Sequence, residues 1–167
     1  VHCWPDNELH QLWVEWYPAG AVGVSSPAVN PGDVVFVEVW NTSPTVGYVF
    51  FYNCSTDQSG EYEVSAPAGV TLKGASVEWI VERPGITPLP LANFIAMPWS
   101  QGVAWDYASP SPTYQMGGDP NPNPGTLQRI TMVDNSGNPI SSATVENQSF
   151  LWFQNSGSSC GVNQQPC

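Results

Sequence analysis

The sequence predicts an all-β protein, a β-sandwich of two antiparallel sheets, on three observations. Seventeen prolines and fifteen glycines among 167 residues leave little chain fit for a long helix. Apolar and aromatic residues alternate with polar ones in short runs, the period of a strand with one buried face. Turn residues punctuate those runs at the intervals of a sandwich. The length suits a single domain over residues 1–167, with enough chain for a real core.

The first run is Leu12 to Pro18, L-W-V-E-W-Y-P, in which Trp13, Glu15 and Tyr17 share one face and Leu12, Val14 and Trp16 the other. Ala19 to Gly32 reads as a loop that closes in the turn Asn30-Pro31-Gly32-Asp33. Val34 to Trp40 follows, with Val35, Val37 and Val39 opposed to Val34, Phe36, Glu38 and Trp40. After a turn at Asn41 to Thr45, Val46 to Asn53 aligns Tyr48, Phe50 and Tyr52 on one side. Glu61 to Ser65, Val70 to Leu72 and Val77 to Glu82 continue the series. Pro84, Pro88 and Pro90 interrupt it, because each lacks a ladder donor. Strand texture resumes at Leu91 to Met97, Gly102 to Tyr107, Leu127 to Val133 and Ser149 to Asn155. Ser109 to Gly125 is expected to be a long loop, and Asp134 to Asn138 a turn. There is no internal repeat.

Charge is sparse and one-sided. Lys73, Arg83 and Arg129 stand against fourteen acids, for a formal net charge of -11. That excludes a nucleic-acid backbone binder, which needs basic patches, and speaks against anionic membrane surfaces. With so few basic groups the chain becomes nearly neutral in acid, so self-repulsion there is small and acid tolerance is expected. Cys3, Cys54, Cys160 and Cys167 allow three disulfide pairings, which spacing does not settle. Sequons at Asn41, Asn53 and Asn147 are glycosylation candidates and, with the cysteines, point to a secreted, extracellular protein. The longest apolar run is far below the roughly 20 residues of a membrane span, and no signal peptide is legible, as in a mature or processed product.

No cofactor or metal is expected. The cysteines form no C-x-x-C pair, His2 and His10 belong to no metal-like cluster, and Asp119 and Asp134 sit in turns where Asp commonly bonds its own backbone. Gly157 to Gly161 matches G-x-S-x-G, but no helix pattern follows it, so a nucleophile elbow is not supported.

The chemistry centres on Ser76 to Pro84, S-V-E-W-I-V-E-R-P. Alternation puts Val77, Trp79 and Val81 toward a core and Glu78, Ile80 and Glu82 on the other face. Four residues apart, the two glutamates would lie roughly 13 Å from one another, too far to share a proton. On composition alone, a solvent-facing strand with Arg83 as ion-pair partner is the plainer account. The second acid-bearing aromatic strand, at Trp13 to Pro18, turns the reading toward a cleft.

Together the two stretches resemble the glutamic peptidases, the eqolisin family. Its W-Y-E-W-Y-P strand is matched by Trp13 to Pro18, with Val14 in place of a tyrosine, and its A-E-W-I-V-E strand by Val77 to Glu82. The likeness runs from about Leu9 to Glu82 and weakens beyond. It implies a concanavalin-like jelly roll and a secreted acid endopeptidase insensitive to pepstatin. In such an enzyme Glu82 is the general base that activates water. Trp13 and Glu15 belong to the substrate cleft, with Trp79 and Glu78 beside them, although core packing is an equal account of each tryptophan. A carboxylate suits the role in acid, since its reference pKa is about 4.3. The family's other catalytic residue, a glutamine that donates to the oxyanion, lies in an I-L-Q-T-G-like strand preceded by W-V-G-I-D-G. Neither motif is present here, and Gln11 does not take that role. The expectation is therefore a two-chain enzyme, in which a cleaved N-terminal light chain carries the missing strands beside Val1 to Trp4.

Two other classes compete. One is a non-catalytic sandwich that binds carbohydrate or peptide, for which Trp40, Tyr48 and Tyr52 would serve as stacking platforms. The other is a secreted structural or defence protein held by disulfides. Acid proteolysis separates the enzyme from both, and glycan binding separates those two.

Overall fold

A computed structural model describes the backbone of residues 2–3, 8–81, 96–100, 102–104, 114–115, 130–145 and 150–155, with side chains over 10–81, 99, 102–104 and 130–143. In chain order the strands are β1 (His2–Cys3), β2 (Glu8–Leu9), β3 (Leu12–Val14), β4 (Val22–Val24), β5 (Val35–Ser43), β6 (Val46–Asn53) and β7 (Gln58–Ser65). They continue as β8 (Ala96–Ser100), β9 (Val103–Ala104), β10 (Tyr114–Gln115), β11 (Ser141–Val145) and β12 (Phe150–Asn155). Among the described residues there is no helix. The chain divides into two compact units, one spanning Glu8–Ala75 and the other comprising His2–Asn7 and Ser76–Cys167.

In the first unit β5, β6 and β7 form an antiparallel sheet with β6 central. One face of that sheet is the core: Phe51 lies between Val37 and Gly60 in register, and Val49 between Val39 and Tyr62. The hairpin of β3 and β4, paired Leu12 to Val24 and Val14 to Val22, supplies Val14 and Val24 to this core. Leu12, Val49, Tyr62 and Val64 complete it. No β5 side chain belongs to the cluster, and Val37 and Val39 remain 46% and 70% exposed although they share the inner face.

Close approaches fix how the hairpin is held. The Trp16 ring lies over Gly47, where an added Cβ would stand 3.2 Å from it. The Tyr62 hydroxyl donates to the Ser26 carbonyl at 2.5 Å and accepts the Ser26 N–H at 3.1 Å, tying the end of β4 to β7. The same Ser26 oxygen would be 2.5 Å from a Cβ at residue 60, so only glycine fits there. Asn53, wholly buried at the end of β6, donates to Ala28 O and Asp33 Oδ2 and accepts the N–H groups of Ser55 and Thr56. One buried amide thereby joins the loop before β5 to the turn after β6, satisfying groups that would otherwise be costly to bury.

In the second unit β12 pairs with both β11 and β8 in an antiparallel sheet, and β9 pairs with β10. Ile140 and Ser141 are buried where β11 begins. The turn before it is organised by Asp134, whose Oδ1 accepts the N–H groups of Ser136 and Asn138 and whose Oδ2 accepts the Asn138 amide. That is the turn role expected of this aspartate.

Three expectations are corrected. Val70 to Leu72 is not a strand; it folds back along the β5–β6 turn, with Leu72 N–H donating to Pro44 O. The described part of Val77 to Glu82 is not a strand either: 76–81 is irregular, Val77 is 47% exposed, and Trp79, Ile80 and Val81 are each half-buried rather than alternating. A strand needs a paired neighbour as well as a pattern, and none is present among the described residues. The described part of Leu127 to Val133 is irregular too, apart from the isolated bridge of Val133 to Pro139. The Asn53 side chain is buried and its amide nitrogen donates twice. Asn41 and Asn53 stay glycosylation candidates; Asn147 lies outside the described residues.

Candidate active site

The β3 strand sorts its side chains as the alternation requires. Leu12, Val14 and Trp16 turn inward, Val14 to 9% exposure, while Trp13 (54% exposed), Glu15 and Tyr17 (81% exposed) turn outward. The cause is the cover beneath: Val14 must reach Phe51 and Trp16 must reach Gly47, so the intervening residues face solvent. An indole on β3 and a carboxylate two residues on, both turned outward, can hold an extended peptide, the ring by apolar contact and the carboxylate by accepting a backbone N–H.

Glu78 and Trp79 belong to the other unit, Glu78 exposed and Trp79 half-buried. Glu82, the residue assigned the chemistry, lies outside the described residues. No group of three or more His, Cys, Asp or Glu side chains able to hold a metal occurs among the described residues. Cys54 is an exposed free thiol; the side chains of Cys3, Cys160 and Cys167 are not described.

Two aspartates carry a lowered pKa. Asp33 is stabilised as carboxylate first by the Asn53 amide and then by the Asn30 N–H, and Asp134 first by the Asn138 side chain and then by backbone N–H groups. Two tyrosines move the other way: Tyr48 donates to Glu63 Oε2 at 2.7 Å and Tyr52 to Asp57 Oδ1 at 2.8 Å, and each bond raises the hydroxyl's pKa. These bonds, like the Asn53 network, were not foreseen from sequence; only register reveals that Tyr48 stands opposite Glu63.

Residues 3–151 match the sequence profile of the Peptidase A4 family, a class of peptide-bond hydrolases. The chain belongs to that family, the glutamic peptidases, and its substrate class is protein or peptide. Among solved structures it is similar to aspergilloglutamic peptidase from Aspergillus niger, with a TM-score of 0.71 and 24% identity over 92% of this chain and 84% of that one. The likeness shows the fold, a β-sandwich of antiparallel sheets, as the sequence predicted. No curated protein matches the chain.

Proposed function

We propose that the protein is a secreted acid endopeptidase in which Glu82 is the general base. The Glu82 carboxylate takes a proton from water as the water oxygen attacks the peptide carbonyl carbon. A glutamine amide donates to the oxyanion that forms, stabilising charge without titrating itself. When the C–N bond breaks, Glu82 returns the proton to the departing amine. In this proposal the glutamine is supplied by a light chain that accompanies this one. Trp13 and Glu15 bind the extended substrate.

The observation that supports this reading most is the coincidence of the family match over residues 3–151 with the outward presentation of Trp13 on β3 and of Glu15 just after it. The test is cleavage of an unfolded protein at acid pH with pepstatin present, paired with intact-mass analysis of the active preparation under denaturing conditions. Pepstatin-resistant cleavage by a preparation containing a second, shorter polypeptide is expected. Cleavage that pepstatin abolishes would assign the reaction to paired aspartates, and a lone active species of this chain would remove the light chain.

A further inference from the structure

The outer face of the β5–β6–β7 sheet, away from the Phe51 core, is built of rings and carboxylates in register. One row across the three strands reads Glu38, Phe50, Glu61; the next reads Trp40, Tyr48, Glu63. Phe36 and Tyr52 stand in the row before them, Phe36 edge-on to Phe50 with ring centroids 6.4 Å apart. Trp40 and Tyr48 lie flat on one another, their planes 14° apart and centroids 5.5 Å apart. Glu38, Glu61 and Glu63 are exposed, and the rings between them are half-buried. No basic residue stands in these rows. Glu15 and Trp13 open on the opposite side of the unit, because β3 contacts the sheet through its Val14 face.

We propose that this face docks an extended, arginine- or lysine-rich segment of another protein. Charge complementarity selects the occupant: three carboxylates flank two aromatic rows that hold no basic residue of their own, and ring faces bordered by acids favour guanidinium or ammonium groups. Hydrogen-bond supply agrees. The Tyr48 and Tyr52 hydroxyls already donate to Glu63 and Asp57, so the face offers acceptors, which suits a ligand of donors better than a neutral sugar that brings both. Spacing agrees as well: residues two apart along β6 are about 6.8 Å apart, the period at which an extended peptide repeats its same-side residues. Alternate basic residues therefore meet successive rows.

The test is fluorescence anisotropy of a labelled peptide alternating arginine and threonine, at neutral pH, with mass spectrometry verifying that it stays intact. Binding should weaken about fivefold in the E61Q/E63Q double variant, as expected for two exposed ion pairs, and weaken as salt rises. E38Q should give a smaller loss, and thermal melts should match wild type. A glutamate and threonine peptide should not bind. Failure of the arginine peptide to bind at millimolar concentration would overturn the proposal. So would equal binding of the acidic peptide or of a neutral cello-oligosaccharide, or a loss caused by E15Q and not by E61Q/E63Q.

Discussion

Leu12–Tyr17 and Ser76–Val81 have the same sequence pattern, an acid inside alternating aromatic and branched residues, yet fold differently. The first begins in a paired strand, β3, whose burial alternates through to Tyr17; the second is irregular, with Val77 exposed and three successive residues half-buried. What separates them is what lies alongside. β3 has the β4 ladder on its edge and Phe51 under its face, whereas no described residue pairs with 77–81. Alternation nominates a buried face; a ladder and a cover decide it.

The comparison can be broken first at the cover. Phe51→Ala should lower stability by about 3–4 kcal/mol, as a truncation at the centre of a core does, measured by denaturant unfolding. Asn53→Ala should cost about 2–3 kcal/mol, since it leaves the Ser55 N–H without its acceptor and removes the amide that bonds both Ala28 O and the Asp33 carboxylate. Val14→Ala against Val77→Ala sharpens the contrast between the two stretches. The first should cost about 2 kcal/mol and the second less than about 0.5 kcal/mol. Equal costs would mean that Val77 is as well covered as Val14.

The smallest effect is on acid response. Asp33 and Asp134 have folded pKa values below the ordinary 3.8, so each stabilises the fold fully above the unfolded pKa. That contribution disappears as pH falls through the lowered folded value. Melting temperature should therefore hold steady down to about pH 4 and decline below it. The decline should be shallower in D33N, whose melting temperature is lower above that range and approaches wild type below it. Because their values are lowered, both aspartates keep their loops bonded further into acid than free carboxylates would.

Much of the first unit was legible because its signals are local. Val46 to Asn53 gave β6 at its observed limits, Val34 to Trp40 gave most of β5, and Trp13 and Glu15 face outward as alternation requires. β4 and β11 were missed: Val22–Val24 sits in a Gly/Pro/Ser stretch too short to show a period, and Ser141–Val145 is mostly small or polar. Long-range relations were illegible in principle. Nothing in the string N-C-S says that Asn53 will be buried against Asp33, and nothing near Tyr48 places Glu63 opposite it. The candidate site rests on motifs, since Trp13 to Pro18 and Val77 to Glu82 resemble the family's pattern, and Glu82 itself lies outside the described residues.

The most direct test of the central claim is kcat/KM of Glu82→Gln on an unfolded protein at acid pH, read beside its melting temperature. Loss of a general base predicts a fall of about a thousandfold or more with the melting temperature near wild type. Wild-type turnover in a folded E82Q protein would contradict the assignment and move the base to Glu78 or Glu15.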